Sequence, residues 1–141
     1  MSRLIVINGH NLNMLGKREP EIYGTATYRD LVNLIKDYCE GKTVVKCFQA
    51  NCEGSIIDEI QNALGMYDGS IINAGGYTHT SVAIADAISA VQIPTVEVHI
   101  SDITKREPFR RHSFLTPVCQ KTIMGMGFDG YLRAIDFLLK E

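Results

Sequence analysis

In the stretch VEVHIS a glutamate and a histidine stand two positions apart, at Glu97 and His99. On a strand both side chains leave the same face, with Cα atoms about 6.6 Å apart. A glutamate spans that gap and holds an imidazole nitrogen, which orients the ring and favours its protonated form. His99 is therefore a candidate general acid with Glu97 as its support, although a buried structural ion pair would use the same two residues. The candidate base lies far away in the chain. In GKREPEIYG, residues 16 to 24, Tyr23 sits on a segment flanked by Gly16 and Gly24 and stiffened by Pro20, as a lid would be. A free phenol has a pKa of about 10, and each unit of lowering requires about 1.4 kcal/mol of extra phenolate stabilisation. Arg18 in the same segment and Arg106 in another loop could supply it. The plainer alternative is that Tyr23 packs the loop onto the domain.

These residues need elements to position them. RLIVI (residues 3–7), TVVKCFQ (43–49), GSIIN (69–73), PTVEVHI (94–100) and KTIMGM (121–126) read as short apolar or β-branched strands. Helical patterns fall between them. Thr27, with Asp30 three residues on, reads as an N-cap, and Leu31, Leu34, Ile35 and Tyr38 follow at helical spacing toward Gly41. SIIDEIQNAL (55–64) places Ile56, Ile57, Ile60 and Leu64 on one stripe. TSVAIADAISAV (80–91) is a small-residue helix on a Thr/Ser cap, and FDGYLRAIDFLLKE closes the chain as an amphipathic helix weakened by Gly130. This alternation predicts an α/β protein with a parallel sheet and helices on both faces. Five strands in one domain spanning residues 1–141 suit a flavodoxin-like order, 2-1-3-4-5.

Open parallel sheets bind ligands beyond the carboxyl ends of their strands. The first strand is followed there by NGHNLN, with Asn8, His10, Asn11 and Asn13. The second is followed by Gln49, Asn51 and Glu53. The third carries Asn73, Tyr77, His79, Thr80 and Ser81, and the fourth ends in Glu97, His99, Ser101 and Asp102. Any one of these is an ordinary turn residue. Four consecutive strands delivering amides, imidazoles and hydroxyls to one edge point to a site.

Composition narrows the chemistry. The 141 residues carry a formal net charge of -2, which argues against nucleic acid as the main partner. The one basic cluster, KREPFRRH at 105–112, suits a solvated face or a small anion. The first apolar run is too short for a targeting or membrane-spanning segment, so a cytoplasmic protein is expected. Cys39, Cys47, Cys52 and Cys119 lack zinc-site spacing and read as reduced, mostly buried thiols. No GxGxxG follows the first strand and no GxxxxGK[ST] occurs, which disfavours a nucleotide site.

NGHNLNMLGKREPEIYG, EGSIID, INAGGYTHTSVAIADA, VEVHIS and REPFRRHSFLTPV together resemble the motifs of the type II 3-dehydroquinate dehydratases, in order and spacing, over essentially the whole chain. The resemblance implies conversion of 3-dehydroquinate to 3-dehydroshikimate with no metal and no organic cofactor, in the shikimate or quinate pathway. It implies that Tyr23 removes the C2 proton, that a water held by Asn11 stabilises the enolate, and that His99, supported by Glu97, protonates the departing C1 hydroxyl. Arg18 matches the lid arginine that tunes the tyrosine. Asn73 and His79 match residues holding the ring hydroxyls, and the backbone of Ile100 and Ser101 matches the carboxylate seat. Arg110 matches the arginine on the far side of the ring, and Arg106 a cationic neighbour of the lid. Asp86 matches an acid that reaches the neighbouring protomer's site, in a homo-oligomer expected to be a dodecamer of trimers.

The sequence departs from that pattern at His10 and Ala74, where the family normally has proline, at Asp102 for asparagine and at Cys52 for a common histidine. Two other classes compete with this reading. A Schiff-base dehydratase would need an activated lysine, for which Lys46 in the apolar second strand is the candidate. A non-enzymatic flavodoxin-like module would bind a small molecule without turnover.

Overall fold

The computed structural model describes residues 2–17, 21 and 24–140. Its five strands are β1 (Arg3–Asn8), β2 (Val44–Gln49), β3 (Gly69–Asn73), β4 (Thr95–His99) and β5 (Lys121–Met124). They form one parallel sheet in the order β2-β1-β3-β4-β5. Helices α1 (Tyr28–Cys39), α2 (Glu53–Asn62), α3 (Val82–Val91) and α4 (Asp129–Leu139) complete the alternation.

Strand periodicity divides the core between the two faces. Leu4 and Val6 of β1 pack with Leu31 and Ile35 of α1 and with Tyr131 and Ile135 of α4. Ile5 and Ile7 point the other way, onto Ile56 and Ile60 of α2 and Ile84 and Ile88 of α3. A strand buried on both sides has no polar alternation to show, hence the continuous apolar run of RLIVI.

The helix ends follow local chemistry. Thr27 and Asp30 form the reciprocal capping box expected of them, and Ser81 caps α3 by accepting from the Ile84 amide at 2.9 Å. Helix α2 begins and ends two residues earlier than its apolar stripe suggests. Ala63 takes the inner position after it, and Leu64 turns outward with 62% of its surface exposed. Gly130 also reads differently in three dimensions. A Cβ there would lie 3.3 Å from Val98 and 3.5 Å from Ile123, so the glycine lets α4 lie close on β4 and β5. Among the cysteines, burial pushes the Cys47 thiol up to about 11 and the Cys119 thiol up to about 12. Cys52 departs from the expected burial: it is exposed at the N-cap of α2, where the amides of Ser55 and Gly54 lower its pKa. Among the described residues no helix is long and apolar enough to cross a membrane.

The order reverses between β1 and β3, and here two loops are fastened together. The Gly9 amide donates to the Asn73 carbonyl at 2.7 Å. A Cβ on Gly9 would meet the Ala74 carbonyl oxygen at 2.3 Å, closer than any side chain permits. Gly9→Ala is expected to destabilise the protein by about 1–3 kcal/mol through overpacking, read by chemical denaturation. Unchanged stability would contradict this account of the junction.

Candidate active site

A cavity of about 380 Å³ opens at this reversal point, beyond the carboxyl ends of β1, β3 and β4. Asn11 enters it from the loop after β1. Its backbone is left-handed, with φ of 68°, a conformation that asparagine tolerates better than most residues. The Asn51 side chain fixes that turn by accepting from the Asn11 amide at 3.0 Å. His10, beside it, also lines the cavity and packs edge-on against the Tyr77 ring at 4.5 Å.

Asn73 and His79 enter from the end of β3 and the 3-10 turn that follows it. The Asn73 amide is held on both sides: its nitrogen donates to the Tyr131 hydroxyl at 2.9 Å, and its oxygen accepts from the Gly75 amide at 3.2 Å. Tyr131 in turn donates to Asn8 at 2.7 Å. His79 Nδ1 donates to the His112 carbonyl at 2.7 Å, leaving Nε2 for a ligand. Burial lowers the His79 pKa despite that bond, which disfavours the charged ring.

The end of β4 contributes His99, Ile100 and Ser101. His99 Nε2 lies 2.5 Å from Glu97 Oε2, so Nδ1 is the nitrogen available to the cavity. Glu97 stands behind it with no exposed surface. Its Oε2 also accepts from Ser113 at 2.6 Å, and its Oε1 accepts from Thr116 and Thr122, each at 2.8 Å. Burial alone would raise the Glu97 pKa. The bond and charge of His99, with the bonds from Ser113 and Thr116, outweigh it and bring the carboxyl down to about 2.

Two arginines also reach the cavity. Arg106 donates to Ser101 Oγ at 3.1 Å and lies 3.5 Å from Glu107, and Arg110 lies 3.4 Å from the same carboxylate. Both line the cavity, as do the apolar Leu12, Leu15 and Ile103.

The structure thus brings together Asn11, Asn73, His79, His99, Ile100, Ser101, Arg106 and Arg110 around one cavity, with Glu97 supporting His99. Tyr23 and Arg18 lie outside the described residues. Asp86 is exposed on α3 and does not line the cavity of its own chain. Lys46 is not the activated lysine that a Schiff-base route requires. It is 53% exposed, lies outside the cavity and is paired with Glu59 at 3.0 Å, a hydrogen bond that raises its pKa. Sequence reasoning did not find Tyr131, Ser113, Thr116 or Thr122. The last was signalled only by register, because Thr122 is the direct β5 neighbour of Glu97.

A doubly wound parallel sheet gathering a carboxylate-held imidazole, fixed amides and guanidiniums about a polar cavity defines a flavodoxin-like protein equipped for acid–base chemistry on a small polar molecule. The dehydroquinase class II family matches residues 2–139, and the chain belongs to that family. It is 54% identical to the 3-dehydroquinate dehydratase of Fusobacterium nucleatum, covering 98% of this chain and 97% of that one. A catabolic 3-dehydroquinase of Fusarium vanettenii is 49% identical, covering 98% and 96%. The crystal structure of a type II dehydroquinase from Butyrivibrio crossotus superposes with a TM-score of 0.96 at 51% identity, covering 97% of each chain.

The low Glu97 pKa makes a prediction for stability. The folded state holds its carboxylate ionised below the ordinary 4.5, so this contribution is complete above about 4.5 and is lost as pH falls toward about 2. Denaturation midpoints across that window are expected to fall more steeply with acid for the wild type than for Glu97→Gln. Parallel curves would contradict the buried, ionised carboxylate.

Proposed function

We propose that this site dehydrates 3-dehydroquinate to 3-dehydroshikimate by stepwise anti elimination through an enolate. Membership of the class II dehydroquinases and the names of the close relatives support the substrate and the reaction. The observation that carries the proton chemistry is the His99 imidazole, 5% exposed, held by Glu97 at the cavity wall.

In this reading the Tyr23 phenolate takes the C2 proton, and its electron pair moves into the adjacent ketone to form the enolate. Arg18 keeps the phenol poised for ionisation, and Arg106 adds positive charge on the same side. A water held by Asn11 bonds the enolate oxygen. The enolate then collapses, forming the C1–C2 double bond as the C1–O bond breaks. His99 donates its proton to the departing hydroxyl, which leaves as water. A positioned acid and base supply rate by moving protons as charge develops, and a fixed donor at the enolate stabilises the intermediate electrostatically.

The remaining residues hold the substrate. Asn73 and His79 bond its ring hydroxyls, the backbone of Ile100 and Ser101 takes its carboxylate, and Arg110 covers the far side of the ring. Asp86, exposed on α3, serves the neighbouring protomer's site. The reading includes a single domain, a cytoplasmic setting and a homo-oligomer of trimers, expected to be a dodecamer.

The test adds 3-dehydroquinate to the wild type and to Tyr23→Phe and follows the ultraviolet absorbance of the conjugated enone. The wild type is expected to turn over, and the variant to bind substrate while kcat falls by about 10²–10⁴-fold. No turnover by folded wild type would overturn the reading.

A further inference from the structure

Four donors converge on one buried carboxylate, and only one of them is the imidazole. Glu97 Oε2 accepts from His99 and Ser113, while Oε1 accepts from Thr116 and Thr122. The two threonine hydroxyls also approach each other at 3.3 Å. Thr122 reaches Oε1 because it is the direct β5 neighbour of Glu97 in the parallel register. Thr116 begins a 3-10 turn on the segment that follows the arginine-bearing loop. Ser113 has a second duty, accepting from the amides of Leu115 and Thr116 at 3.1 and 3.2 Å, and so shapes that segment.

A carboxylate with one bonded oxygen can rotate and offer either oxygen to a partner. With Oε1 held by Thr116 and Thr122 and Oε2 by Ser113, its plane is set and Oε2 is turned toward the imidazole. We propose that Thr122 and Thr116 are positioning residues for the acid step, acting through Glu97 to hold His99 with Nδ1 toward the cavity. The inference deepens the function proposed above and rests on it for its kinetic consequence. Its structural consequence, the hold on the His99 Nε2 proton, stands apart from any substrate.

Thr122→Val keeps the shape and removes the hydroxyl, and Thr122→Ser restores it. Removing one of the two donors to Oε1 loosens the carboxylate, so a loss of about tenfold in kcat is expected for the valine variant. KM should stay within about twofold because no substrate contact is removed, and serine should recover the rate. In a Glu97→Gln background the same Thr122→Val change should alter kcat by less than about twofold, since the charged acceptor is already gone. By NMR, the downfield Nε2 proton of His99 should exchange with water about tenfold faster in Thr122→Val than in wild type or Thr122→Ser. Thr116→Val provides the same tests from the other hydroxyl if Thr122→Val does not fold. Unchanged kcat and unchanged exchange in the valine variants would overturn the inference, as would an equal kcat loss in the Glu97→Gln background. A folded wild type without turnover would remove the proposed function, and the His99 proton would then decide the positioning role alone.

Discussion

An ionised carboxylate shut away from water costs on the order of several kcal/mol unless other donors replace its hydration. Glu97 meets that condition in the middle of β4, with no exposed surface and four side-chain donors on its two oxygens. Much of the site's geometry follows from satisfying it. The β4–β5 register must place Thr122 beside Glu97, and the segment from Ser113 to Thr116 must lie over the same spot. Once the carboxylate is fixed, the ring of His99 has one orientation that keeps the bond.

A second constraint holds the amide side. The Gly9–Asn73 backbone bond and the Tyr131 hydroxyl, shared between Asn8 and Asn73, tie the ends of β1 and β3 together beneath the cavity. Tyr131 is fully buried, and burial pushes its pKa well up, so its hydroxyl remains a neutral bridge. The guanidinium side is built differently. Arg106 and Arg110 share the exposed Glu107; Arg106 follows one 3-10 turn and Arg110 ends the next, so neither stands on a strand. His99 and Asn73 therefore stand at the packed ends of β4 and β3, where rotamers are restricted, while Asn11, Arg106 and Arg110 stand on the loops between elements. A positioned proton donor benefits most from rigid support.

The elements and their order were legible in the sequence because the strands read as short apolar or β-branched runs with helical periods between them. The Glu97/His99 pair was legible because strand geometry makes two-residue spacing meaningful. The hydroxyls around Glu97 were not. Ser113, Thr116 and Thr122 lie 16, 19 and 25 residues away, and nothing local marks a serine or threonine as a carboxylate donor rather than a turn residue. Tyr131 was hidden for a similar reason, as one apolar-face residue of an amphipathic helix whose hydroxyl meets its partners only when α4 lies on the sheet. Gly130 reads as a weak point in a helix until the close approach of Val98 and Ile123 is seen. Leu64 fitted the helical stripe by period, yet α2 stops before it. The periodic pattern does not record where a turn redirects the chain.

The central claim is that the imidazole on Glu97 delivers the proton to the leaving hydroxyl. A 3-dehydroquinate analogue with fluoride in place of the C1 hydroxyl tests it most directly, because fluoride departs without needing that proton. His99→Ala should lose about 10²–10⁴-fold in kcat on 3-dehydroquinate, yet release fluoride from the analogue within about tenfold of the wild-type rate. Equal losses on the two substrates would show that His99 serves some step other than protonation of the leaving group, and would contradict the account.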